Sequence, residues 1–74
     1  MEIAINLTKD QALVLFEFVS RINEQSVSSI FEDQAELLAL CEVECQLEKI
    51  LDEPFRQDYK EIIQKARERI RKKA

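Results

Sequence analysis

Seventy-four residues with no glycine, no histidine, one proline, two cysteines and a net charge of −4 exclude most kinds of chemistry. A chain this short makes one domain, residues 1–74, and buries only about 60% of its unfolded surface. Without histidine the usual hydrolytic triad and imidazole-held zinc are ruled out, and without glycine no phosphate-cradling loop can form. Two cysteines are too few for a secreted disulfide scaffold. The longest apolar runs, "ALVLF" and "LLALC", fall far short of the roughly 20 residues of a membrane span. "MEIAINL" lacks a basic segment followed by an apolar run, so no signal peptide is expected. The expectation is a cytoplasmic protein with reduced thiols.

In chain order, "EIAINL" comes first and alternates Ile3, Ile5 and Leu7 with Glu2, Ala4 and Asn6. This period of two predicts a half-buried β-strand over residues 2–7. A lone strand must pair, and the candidates are the weakly strand-like "SVSSIF" at 26–31 or the same segment of a second copy. "TKDQ" then forms a capping box, Thr8 with Gln11, opening a helix over 9–23. At about 100° per residue, Ala12, Leu15, Phe16, Val19 and Ile22 share its core face. Val14 and Phe18 fall on the other side, among Asp10, Glu17 and Arg21.

A polar loop at 24–32 holds Val27, Ile30 and Phe31 as apolar anchors. "DQAE" gives a second capping box, Asp33 with Glu36, and a helix over 33–51. Its main stripe is Leu40, Val43, Leu47, Ile50 and Leu51, with Leu38, Cys41 and Cys45 on a second face. The first half, "AELLALC", is apolar nearly all round and is therefore expected to be deeply buried. Pro54 breaks this helix but suits the first turn of another, predicted over 54–73 with Asp52 or Glu53 as its cap. Its stripe is Phe55, Tyr59, Ile62, Ile63, Ala66 and Ile70, and its last turns are cationic, which suits the helix dipole. The fold class expected is mainly α, a short N-terminal β-strand followed by a three-helix bundle.

Residues 31–70 carry "F-x-D-x-A-E", "L-E-x-x-L" and "PF-x-x-DY". In these the chain resembles a group of small bacterial helical proteins of unknown function. The resemblance implies a bacterial source and brings no activity with it.

Cys41 and Cys45 lie four apart, which would put both sulfurs on one helical face. With Glu44 or Glu48 they could contribute to a metal site, but structural zinc asks for four ligands. Glutamates at 42, 44 and 48 also oppose thiolate formation. The cysteines are therefore expected to be small, mostly buried packing residues, with no metal and no cofactor. No constellation meets the geometry of an active site, so no catalytic residue is assigned and no enzyme is expected.

Charge divides the chain. Residues 1–53 hold three Lys/Arg and twelve Asp/Glu, a net −9, while residues 54–74 hold eight and three, a net +5. Arg56, Lys60, Arg67 and Arg71 fall on one flank of the last helix. A nucleic-acid-binding helix is one reading, but the acidic total and the crowding of bases at the C-terminal end argue against it. The preferred reading is a seam between the basic last helix and the acidic helix before it, within one chain or across two. The second apolar faces, Val14 with Phe18 and Leu38 with Cys41 and Cys45, exceed what one three-helix core uses. Such surface on a small chain marks a partner surface, and the commonest partner is an identical copy. The function expected is thus a protein–protein interaction or regulatory module acting as a homodimer. A nucleic-acid accessory role is the alternative, and no membrane association is expected.

Overall fold

The computed structural model describes residues 1–25 and 28–74. Three α-helices run α1 Lys9–Gln25, α2 Gln34–Ile50 and α3 Tyr59–Lys73, with 3-10 turns at Ser28–Ile30 and Glu53–Phe55. No strand occurs among the described residues, so the expected short N-terminal β-strand at 2–7 is a correction. Residues 1–8 have no regular structure, and Ile3 is 79% exposed. The alternating pattern marks which side a strand would bury, but a strand exists only where a second backbone completes its ladder. The described part of "SVSSIF" cannot supply one, because Ser28–Ile30 turns in a 3-10 helix. Of the three loop anchors, Val27 lies outside the described residues, Ile30 is exposed and Phe31 is half-buried.

The first capping box forms as its sequence implies. The Thr8 amide donates to Gln11 Oε1 at 3.0 Å, and the Gln11 amide donates to Thr8 Oγ1 at 3.1 Å. Helix α1 continues two residues past the expected end, since "NEQ" contains no glycine or proline to stop it. It buries Leu13, Phe16 and Val19, while Leu15, assigned to the core from its spacing, is exposed. The cause is that α1 is the hub. Both α2 and α3 pack along it and make no comparable contact with each other. Two neighbours widen the covered arc towards Leu13 and the core margin at Val14, leaving the Leu15 side in water.

Helix α2 is capped by Asp33, whose carboxylate accepts from the Ala35 amide at 2.7 Å. Glu36 reaches back to the Glu32 amide at 2.8 Å rather than to the cap residue itself. Within α2 no residue is fully buried, which corrects the expectation that its first half, "AELLALC", is deeply buried. Leu38 is 60% exposed and Ile50 72%. Because α2 packs mainly on α1, one stripe is covered, comprising half-buried Leu37, Leu40, Glu44 and Leu47, with Leu51 just beyond the helix fully buried. Apolar residues all round a helix show that it lacks a polar face, not that neighbours surround it.

The third helix begins at Tyr59, not at Pro54. Pro54 sits in the first turn of the short Glu53–Phe55 helix, which ends where Arg56 turns extended. Asp58 then caps α3 without a side-chain hydrogen bond. Phe55 is consequently off the α3 stripe and 73% exposed. Of the rest of that stripe, Ile70 is half-buried and lies outside the core cluster, while Ile63 and Ala66 are buried and Tyr59 and Ile62 pack against them. With Leu13, Phe16 and Leu51 they form the core. The radius of gyration is 13.3 Å, against about 11 Å for a globular domain of this length. A chain with an unpacked N-terminal arm and a one-sided α2 is expected to exceed the globular value.

Candidate interaction surface

Polar contacts between the helices all centre on α1. On the α3 side, the Arg69 guanidinium donates two hydrogen bonds to the Asp10 carboxylate, both at 2.8 Å. That pair holds the Asp10 carboxyl below its ordinary 3.8 and pushes Arg69 higher. Lys9 reaches Glu53 at 3.1 Å and ties the start of α1 to the short turn after α2. On the α2 side, Glu44 accepts from Ser20 Oγ at 2.8 Å and from Asn23 Nδ2 at 2.6 Å. The seam anticipated between acidic α2 and basic α3 therefore does not form inside this chain. Among the described residues no ion pair joins those two helices.

With α1 covering one side, the other side of α2 is open. Cys41 and Cys45 are both exposed free thiols, which corrects their expected burial. The spacing of four places both sulfurs on one face, and that face is bare because α3 packs on α1. Leu38, Cys41 and Cys45, spaced i, i+3 and i+7, form an outward apolar stripe with Glu42 on one flank and Glu48 on the other. Phe55 stands over its far end, enclosing with Cys41, Cys45, Glu44, Glu48 and Lys49 a groove of about 430 Å³. Glu44 is engaged by Ser20 and Asn23, so it is not a spare oxygen ligand for the thiols. No group of three metal-ligating side chains occurs among the described residues.

A second exposed stripe lies on α1. Leu15 and Phe18 point away from the core, Phe18 at 49% exposure, and half-buried Ile22 continues the line. The Arg21 guanidinium lies 5.7 Å from the Phe18 ring centre, covering one face of it. Val14, paired with Phe18 by sequence spacing, instead packs at the core margin.

The predicted basic flank is placed along α3, apart from one member. Arg56 belongs to the connecting turn and pairs with Asp58 at 3.2 Å. Lys60, Gln64, Arg67 and Arg71 follow one another at i, i+4, i+7 and i+11, and the three cations make no ion pair among the described residues. Lys60 and Arg67 border a groove of about 380 Å³ between α1 and α3, floored by Tyr59 and Ile63 and closed by Glu17. The Tyr59 hydroxyl is buried there with no hydrogen bond of good geometry. Burial, and then the neighbouring Glu17 carboxylate, push its pKa well above the ordinary 10.0.

Sequence reasoning missed the Glu44 clasp and the Asp10–Arg69 pair. Polar Ser20 and Asn23 beside the buried Phe16–Val19 face were the available signal for the first. The second joins residues 59 positions apart, with nothing local to mark it. Comparison of the chain with family models, curated proteins and solved structures finds no match. The reading of its surface rests on its own residues.

Proposed function

We propose that this chain is a non-catalytic binding module, an interaction or regulatory protein that works as a homodimer. One observation carries the reading: among the described residues six hydrophobic side chains are buried, while Leu15, Phe18, Leu38, Val43, Ile50 and Phe55 remain exposed on the helical body. Burying a side chain of this kind is worth roughly 1.5–3 kcal/mol, and a domain of this size holds only about 3–5 kcal/mol from its own core. A partner surface recovers what the fold forgoes, and a second copy is always present at equal concentration. The non-catalytic part of this reading comes from the sequence, which has no histidine for a hydrolytic triad.

A cytoplasmic, bacterial setting belongs to the same proposal. Two exposed thiols suit a reducing compartment, and no helix among the described residues is long and apolar enough to cross a membrane. The bacterial source rests on the motif resemblance at residues 31–70.

The rival reading, nucleic-acid binding, is favoured by the unpaired Lys60, Arg67 and Arg71. It predicts retention on a polyanion that falls steeply with salt. The homodimer reading predicts instead a melting temperature that rises with protein concentration. A melting temperature that stays constant from low to high micromolar chain would remove the homodimer reading.

A further inference from the structure

We propose that the homodimer is held by a twofold-repeated, charge-matched seam in which the outer face of α2 in one copy lies antiparallel against the basic flank of α3 in the other. This inference rests on the homodimer reading and specifies its interface. The charges come first. Four glutamates and one lysine leave α2 at −3, and seven Lys/Arg with two glutamates leave α3 at +5. Helices of opposite charge usually neutralise each other within a bundle, yet here both pack on α1 and no ion pair connects them. Inside the chain neither surface meets the other, and a second copy presents both. A twofold axis then satisfies both at once, because α2 meets the second copy's α3 and α3 meets its α2.

The faces also match in form. The α2 stripe of Leu38, Cys41 and Cys45 is flanked by Glu42 and Glu48, the arrangement of an apolar seam with acids on its edges. The facing stripe of Lys60, Arg67 and Arg71 offers long aliphatic stems to cover apolar atoms, with cationic heads that extend to the flanking acids. Direction follows from the ends of the helices. The last turn of α2 holds its one base, Lys49, and the first turn of α3 holds an acid, Glu61. Antiparallel packing brings these two ends together and sets Glu42 against the Arg67–Arg71 half of α3. Parallel packing would set Lys49 among Arg71, Lys72 and Lys73. In such a seam the apolar contacts supply most of the affinity, and the charges fix register and exclude mismatched pairings.

A charge-swap experiment tests the seam. Two variants, E42R/E48R and R67E/R71E, are analysed singly and mixed by sedimentation at moderate salt, with helical circular dichroism as the check on folding. Each variant alone is expected to self-associate at least roughly tenfold more weakly than the parent, since like charges then face each other. The equimolar mixture is expected to recover a species of two chains. Variants that dimerise like the parent, or a mixture that stays monomeric, overturn the seam while leaving a homodimer by another face. A parent that is monomeric overturns both readings, and salt-sensitive retention of that monomer on duplex DNA, lost in R67E/R71E, would assign the flank to nucleic acid. If a reversal variant loses helical signal, R67Q/R71Q takes its place. A weaker dimer in that variant supports the seam, and an unchanged one overturns it. Alkylation of Cys41 and Cys45 gives an independent readout: it should slow as parent concentration rises, and a constant rate counts against the seam.

Discussion

Glu44 shows how one residue can be misread from its neighbours in sequence. Beside two cysteines it looks like an acid that discourages thiolate formation, whereas in space it is the point where α1 holds α2 through Ser20 and Asn23. Hydrogen bonds to a charged group are worth more than neutral ones, about 1.5–3 kcal/mol each. Glu44→Ala is therefore expected to cost roughly 2–3 kcal/mol in denaturant unfolding. Glu42→Ala, a surface change in the monomer, should fall within about 0.5 kcal/mol when measured on dissociated chain. Equal costs for the two would refute the clasp. Tyr59 offers a second test, being the only tyrosine in a chain without tryptophan, so phenolate absorbance reports it alone. Its pKa is raised in the fold, so above pH 10 the unfolded chain loses a proton that the folded chain retains. The native state is stabilised fully below that pH and progressively less above it. Alkaline titration should thus show phenolate appearing late and together with unfolding. Tyr59→Phe removes an unpaired buried hydroxyl, so it should be neutral or stabilising by about 1 kcal/mol and abolish that coupling. Asp10 behaves in the opposite sense. Its depressed carboxyl adds stability above its unfolded pKa, which is lost as acid protonates it and releases Arg69.

Among the elements, those with strong local signals were legible. The Thr8–Gln11 capping box, the Asp33 cap and the Ile62–Ile63–Ala66 stripe could all be read because their causes lie within a few residues. The N-terminal strand failed for the opposite reason. A β-pattern is a conditional statement about pairing, and nothing in "EIAINL" supplies the second backbone. The burial of α2 failed likewise, since its apolar surround says nothing about how many neighbours it has. Pro54 marks a break in the sequence pattern, but the three-residue 3-10 turn and the extended Arg56 delay α3 to Tyr59. Ile3 and Ile5 lie outside the packed body, and a segment with few packed contacts adds little to stability. Deleting residues 1–6 should therefore change monomer stability by less than about 0.5 kcal/mol in urea titration. A loss above about 2 kcal/mol would mean that the arm packs on the body. At the other extreme lies Ala66, fully buried where α3 meets α1. Ala66→Leu should overpack that contact and cost about 1–3 kcal/mol, whereas a neutral result would place slack between the two helices.

At the scale of the molecule, the division into an acidic first part and a basic last helix was visible in the amino-acid order. Which helices would meet was not, because that depends on α1 acting as the hub. The arrangement leaves a small core, an α2 face bordered by acids and an α3 flank whose bases make no ion pair among the described residues, all on one small body. That Leu38, Cys41 and Cys45 share one face could be read from spacing, as could the outward placement of Phe18. Val14 could not be told from a core residue until its neighbours were known. The proposed self-association would account for these features together. Sedimentation equilibrium of the unmodified chain at high micromolar concentration tests that explanation most directly. The account predicts a mass of twice 8.7 kDa that falls towards 8.7 kDa on dilution, and a single 8.7 kDa species at every concentration would contradict it.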